Sequence, residues 1–304
     1  MSKGRLTLAA LALIVAALWL LTPARLGFDP EARLPALPAT TFITGTEERV
    51  LQRNASEWVV VALHGFSASR QETAPLAEIV ARRLGASLIE ARLSGHGHTE
   101  QPLVGVLAEH WLRDVHRVLT TASELGDRTI VIGTSTGATA AVALLDQDIA
   151  SSIDTLVMIS PNFEPRDAKA KWLTRPAGPH LAGILAGETR CWEPHNPEQA
   201  RYWTTCYPMS AAIEMMRLVD RANRILPARI SQRLLLFYSP DDQVVSPDAA
   251  LQLFNDTESP AKEAVEIRDP GDPSSHVLAG DILSPGKTLD IANAIVDFIE
   301  RPAP

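Results

Sequence analysis

The sequence predicts an α/β fold: a mostly parallel, twisted sheet with helices on both faces and an inserted cap. Three observations predict it. Apolar runs of strand length recur, "WVVVAL" (58–63), "TIVI" (129–132), "TLVMI" (155–159) and "LLLFY" (234–238), and continuous runs of this kind mark strands buried on both faces. Stretches of helical period separate them, and strand–helix–strand alternation builds a parallel sheet with helices on each side. The alternation breaks once, over Asn162–Arg229, a proline-rich stretch holding three tryptophans and both cysteines. That is too long for a simple connection and reads as a cap at about 162–229, with two helical stretches, above the carboxyl edge of the sheet.

Taken in order, the first object is N-terminal. Lys3 and Arg5 precede an apolar run from Leu6 to Leu21 whose one polar member is Thr7, the charged and apolar regions of an export signal. Thr22-Pro23-Ala24 is a fair small-residue cleavage site, so residues 1–27 read as a signal anchor or a signal peptide. An anchor leaves Lys3 and Arg5 in the cytoplasm and exports the rest, on a bacterial-type periplasmic face; cleavage secretes it. Residues 28–41, with Pro30, Pro35 and Pro38, read as a stiff linker, and 42–304 as one domain carrying the cap.

Within that domain Thr73–Leu84 is helical, with Leu76, Ile79, Val80 and Leu84 on one face. Ser87–Ala91 is a short strand. Leu107–Leu125 is a long amphipathic helix through Trp111, Val115, Val118 and Ala122. Gly137–Leu145 is a helix following the 129–132 strand, Ala264–Ile267 a last, weaker strand, and Thr288–Ile299 the closing helix. A net charge of −8 over 304 residues argues against nucleic acid as a partner. Neither a repeat nor a zinc-like Cys/His spacing is present. An exported compartment permits a disulfide between Cys191 and Cys206.

Gly133-Thr134-Ser135-Thr136-Gly137 matches G-x-S-x-G. The match alone is weak, but a buried strand precedes it, a helix follows it, and glycines stand at both positions where a side chain would obstruct a sharp reversal. A nucleophilic serine needs a base, a group to orient the base and an oxyanion hole. His64-Gly65-Phe66 follows the first buried strand, so the N–H groups of Phe66 and Thr136 are the oxyanion donors, with His64 structural. "YSPDDQVV" follows the "LLLFY" strand and offers Asp241 and Asp242; Asp242 is favoured because the apolar residues after it can pin the loop. His276, between the last strand and the last helix, is the base. His96 and His98 belong to the pocket wall, and His110, His116, His180 and His195 to the long helix and the cap.

"HGFSAS" (64–69), "RLSGHG" (92–97), "WLRDV" (111–115), "GTSTG" (133–137), "DDQVV" (241–245) and "SSHV" (274–277) together resemble the α/β-hydrolase superfamily, specifically the carboxylesterase and monoacylglycerol lipase-like branch, also called the serine aminopeptidase S33-like group. The resemblance spans residues 58 to 300. It implies an α/β-hydrolase fold, a short cap and cleavage of carboxylic esters by a Ser-Asp-His triad, here Ser135, Asp242 and His276, with Phe66 and Thr136 as oxyanion donors and neither metal nor organic cofactor. The expected substrate is a small to medium acyl ester or a monoacyl lipid. The same triad also serves a lysophospholipase or an acyltransferase, and a hydrolase fold can serve as a binding protein. A peptidase is disfavoured, since no acidic cluster for a free amino terminus stands out.

Overall fold

The computed structural model describes residue 22 and residues 25–54, 56–228 and 230–302. Of the segment 1–27 read as a signal anchor or signal peptide, residues 1–21, with the whole apolar run, lie outside the described residues. Among the described residues no helix is long and apolar enough to cross a membrane.

The sheet has seven strands: β1 (Arg49–Leu51), β2 (Trp58–Leu63), β3 (Ser87–Glu90), β4 (Arg128–Thr134), β5 (Ile153–Ile159), β8 (Arg233–Tyr238) and β9 (Lys262–Glu266). Their order is β1-β3-β2-β4-β5-β8-β9; β1 pairs antiparallel with β3 and every other pairing is parallel. Four body helices flank it, α1 (Leu76–Arg83), α2 (Ala108–Leu125), α3 (Thr136–Val142) and α8 (Thr288–Glu300), with α7 (Pro247–Asp256) after β8.

The strand sequences assign each residue to a layer. Val59, Val61, Val131, Leu156, Met158, Leu234 and Leu236 pack into a core shared with α2 and α3, around Trp111, Leu112 and Val115. Their neighbours Val60, Ile130, Ile132, Val157, Leu235 and Phe237 face the other way, against Leu76 and Val80 of α1 and Ile291 and Ile295 of α8. Successive side chains of a strand alternate between faces, so an unbroken apolar run is what two buried faces require. Each Leu, Val or Ile so buried contributes about 1.5–3 kcal/mol relative to exposure.

The cap holds more than two helical stretches. It has three α-helices, α4 (Gly178–Ala186), α5 (Pro197–Tyr202) and α6 (Met209–Ile225), and a hairpin of β6 (Thr189–Cys191) with β7 (Cys206–Pro208). Cys191 stands directly opposite Cys206 in that hairpin, and the two form a disulfide. The hairpin strands are too short, and β6 too exposed, to show any alternation in sequence. α6 also belongs to the body: buried Arg221 donates to the Ala143 carbonyl at the end of α3 and pairs with Asp146.

Residues 28–41 lie against the domain. Leu26 is buried in the core, its carbonyl accepting from Arg221. Arg113 donates to the Ala32 carbonyl, and the His110 ring bonds the Pro35 carbonyl at 2.9 Å.

Candidate active site

Four parallel strands deliver the chemically relevant loops to one edge of the sheet. β2 ends at Leu63 and hands over to His64-Gly65-Phe66, and β4 ends at Thr134 and hands over to Ser135. Asp242 follows β8, and His276 follows β9.

Ser135 sits at the N-cap of α3 with φ 49° and ψ −117°, a conformation rarely adopted by a residue with a side chain. Neighbouring backbone holds it there: its N–H donates to the Ile159 carbonyl at 2.9 Å, and its own carbonyl accepts the N–H groups of Thr139 and Asn162. The flanking glycines are obligatory. A Cβ on Gly133 would lie 2.5 Å from the Ala138 Cα, and one on Gly137 would lie 2.6 Å from the His64 carbonyl oxygen. The sharp strand-to-helix turn needs both positions bare.

His276 is buried, and its Nδ1 lies 2.8 Å from Asp242 Oδ2. An ionised carboxylate only accepts, so Nδ1 carries the proton and Nε2 keeps its lone pair. Asp242, 2 % exposed, spends its second oxygen on the N–H groups of Val244 and Val245, at 2.8 and 2.9 Å. Asp241, one residue earlier, is exposed. Burial works to lower the His276 pKa, but the charges of Asp242, Glu72 and Asp272 outweigh it and leave the imidazole above its ordinary value. The loop is formed by Asp272, whose Oδ2 accepts from the N–H groups of His276 and Val277, both at 2.9 Å.

The loop after β2 is strapped on both sides of Phe66. The Gly65 N–H donates to Glu72 Oε2 at 2.6 Å, and the Ser67 N–H donates to His96 Nε2 at 3.1 Å. The Ser67 carbonyl accepts the Thr204 N–H of the cap at 2.6 Å. Among the described residues the N–H groups of Phe66 and Thr136 meet no acceptor. The Phe66 ring packs edge-on against Tyr207, centroids 4.8 Å apart, and against Trp111.

His64 and His96 are braces. His64 Nε2 accepts the Leu93 N–H at 3.1 Å while its Nδ1 donates to the Gly65 carbonyl; His96 Nδ1 likewise serves the Leu93 and Ser94 carbonyls. Burial pushes His64 down to about 4 and His96 well below the usual imidazole range, so both are neutral.

The family model for serine aminopeptidase, S33 matches residues 54–269, which include Ser135 and Asp242. The chain belongs to the serine aminopeptidase S33 family. Like its relatives on the monoacylglycerol lipase branch, it is a lipase- and esterase-like α/β-hydrolase. A thermostable monoacylglycerol lipase from Bacillus sp. (strain H-257) is 24 % identical over 226 residues, 74 % of this chain and 85 % of that protein. Among solved structures, a chain published with the metagenome-derived lipolytic enzymes LipS and LipT superposes with a TM-score of 0.69 at 21 % identity, covering 86 % of this chain and all of the other. The monoacylglycerol lipase of Paleococcus ferrophilus superposes with a TM-score of 0.62 at 17 % identity, covering 83 % and 97 %. At these identities the superpositions show a shared fold.

Two features of this S33-family hydrolase were not legible in its sequence. Glu72 lies in the polar stretch "SRQET", which looks like a surface turn, yet its carboxylate is buried under Gly65. Three buried oxygens beside the elbow, Thr136 Oγ1, Ser160 Oγ and Asn162 Oδ1, have no hydrogen-bond partner among the described residues. Asp272 did leave a trace, a D-x-S pattern that commonly folds back on its own backbone.

Proposed function

We propose that this hydrolase cleaves carboxylic esters, small to medium acyl esters or monoacyl lipids, with Ser135 as nucleophile, His276 as general base and Asp242 as the residue that orients it. The observation carrying this reading is the buried 2.8 Å Asp242–His276 pair at the sheet edge where Ser135 occupies its strained turn. His276 Nε2 takes the proton from Ser135 Oγ as that oxygen attacks the ester carbonyl. The Phe66 and Thr136 N–H groups receive the oxyanion. The tetrahedral species collapses, His276 passes its proton to the departing alcohol, and the acyl group stays on Ser135. Water, deprotonated in turn by His276, attacks the acyl-enzyme, and the acid leaves with Ser135 reprotonated.

Phe66, half-buried and packed on Tyr207, gives the oxyanion loop an apolar face that suits an acyl chain. The names of the relatives, monoacylglycerol lipases among them, point the same way. In this reading the N-terminal segment tethers the enzyme to the membrane with the domain exported, and the Cys191–Cys206 disulfide fits an oxidising compartment.

The test is turnover of the full chain, purified in detergent, on a chain-length series of p-nitrophenyl esters beside monoacylglycerol. Ser135→Ala should remove turnover and labelling by a fluorophosphonate. Unchanged turnover in that variant refutes the nucleophile, and wild-type protein inert on every ester refutes the reaction class.

A further inference from the structure

Glu72 is a buried carboxyl that makes no ion pair with a lysine or arginine among the described residues. It is 3 % exposed, and its Oε2 is held by the Gly65 N–H at 2.6 Å. A Cβ on Gly65 would lie 2.8 Å from Glu72 Oε1 and 3.2 Å from Ser135 Cβ, so the carboxyl and the nucleophile both border the space that Gly65 leaves bare. The backbone beneath it is fixed, with the Glu72 N–H on the Ser69 carbonyl at 2.9 Å and the Glu72 carbonyl packed under Gly280.

Two charged groups act on it, both from the loop after β9: His276, which favours its ionised form, and Asp272, which opposes it. His276 in turn faces Asp242 from the loop after β8, besides Glu72 and Asp272. Burial, the largest influence, raises the Glu72 carboxyl to about 7, against the Gly65 N–H and His276. A glutamine would offer Gly65 the same acceptor oxygen without the desolvation cost of a buried carboxylate. The hydrogen bond therefore accounts for a polar residue here but not for an acid.

We propose that Glu72 is a positioning residue with two tasks: it anchors the Gly65 peptide so that the next N–H, that of Phe66, stays aimed at the reacting oxygen, and its negative charge supports the imidazolium that forms on His276. This rests on the ester-hydrolase reading above. The proton involved moves from Ser135 Oγ to His276 Nε2, and Glu72 neither gives nor takes it. The imidazolium then has the Asp242 carboxylate on Nδ1 and also feels the negative charge of Glu72. Protonating Glu72 removes the second of these charges, so kcat becomes sensitive to a group beyond His276 itself.

The substitutions separate the tasks. Glu72→Gln keeps the acceptor and removes the charge; Glu72→Ala removes both; Glu72→Asp restores the charge. With full-chain enzyme on p-nitrophenyl butyrate, Glu72→Gln should lower kcat at neutral pH on the order of tenfold with KM little changed. Its acid limb should move to lower pH, because the imidazolium has lost support. Glu72→Ala should lose up to about 10²-fold in kcat through a displaced oxyanion donor, and Glu72→Asp should bring the acid limb back toward wild type. The His276 titration followed by NMR in the full chain should move to lower pH in Glu72→Gln. That readout needs no substrate, so it stands even if wild-type enzyme turns over no ester and the parent reading falls. A Glu72→Gln enzyme with wild-type pH profile and wild-type His276 titration overturns the electrostatic task, and a Glu72→Ala enzyme with wild-type kcat overturns the anchoring task. Should every variant fail to fold, the wild-type titration decides: a His276 curve showing a second coupled step near 7 supports the proposal, and a simple one-site curve overturns it.

Discussion

The Asp242 carboxylate divides its two oxygens between the imidazole of His276 and the backbone of its own loop, while Asp241, one residue earlier, points to solvent. Adjacent aspartates on one turn thus have unequal consequences. Asp242→Asn should reduce kcat by about 10³–10⁴-fold, because an amide can present its NH₂ to Nδ1 and favour the wrong tautomer. Asp241→Asn should stay within about twofold of wild type, as expected for an exposed side chain. Single-turnover kinetics on both variants checks this; equal losses would contradict the assignment.

The elbow glycines carry a stability prediction. A methyl on Gly137 meets backbone, the carbonyls of Leu63 and His64, which cannot rotate aside as a side chain could. Gly137→Ala should therefore cost about 3 kcal/mol or more. The readout is a lowered urea midpoint with an unchanged slope. Gly105→Ala, where an added Cβ meets nothing within 4 Å but φ is +71°, should cost about 1 kcal/mol from backbone strain alone.

Acid should unfold the protein through the two braces. His64 has its folded pKa lowered to about 4 from 6.5, so folding binds fewer protons than the unfolded chain between those values. Its stabilising contribution is complete above pH 6.5 and is lost as pH falls toward about 4; His96 acts in the same direction. Glu72 has the opposite sign, since its carboxyl is raised from 4.5 to about 7 and its contribution fades as pH rises through that window. His276, Asp114 and Asp220, also raised, act with Glu72, while His98, Glu47 and Glu78, lowered, act with the two braces. Tm measured against pH should fall below about pH 6, and a Tm that rises on acidification to about pH 5 would contradict the neutral-brace assignment.

Cys191→Ser with Cys206→Ser should loosen the cap before the body. The bridge closes a loop of 15 residues, worth roughly 3 kcal/mol by chain entropy. The body core is built from other residues, so far-UV signal should persist while proteolysis within the cap accelerates. Alkylation with and without reductant, followed by intact mass, verifies the bridge, and equal uptake in both samples would show it absent.

The parallel strands were legible in place and order, and Trp58–Leu63 in its bounds too, because a run such as "WVVVAL" has one economical explanation when both faces of a sheet are buried. Outside the cap, β1 and α7 escaped. β1 is a three-residue edge strand whose pairing leans on Arg49 reaching Glu90 and Glu78, and three residues show no periodicity. α7 announced itself, with Ser246 as a side-chain N-cap, Pro247 in the first turn and Asp248 after it, but its apolar face is narrow enough to pass for a loop. For the site, spacing gave the residue types and the order, and the apolar run after Asp242 favoured it over Asp241, in keeping with its burial against His276. Glu72 was invisible for a different reason: a glutamate in a polar turn is nearly always solvated, and only tertiary burial distinguishes this one.

Phe66 stands between two amides tied to distant parts of the chain, Gly65 to the turn before α1 and Ser67 to the loop after β3, with Thr204 of the cap closing the third side. A cap transplanted from another hydrolase would therefore alter more than substrate choice. Unless the graft presents an N–H where Thr204 now offers one, the exchange would slacken the loop that faces the reacting oxygen, and a chimera made for new specificity would lose turnover even on small esters that never touch the cap.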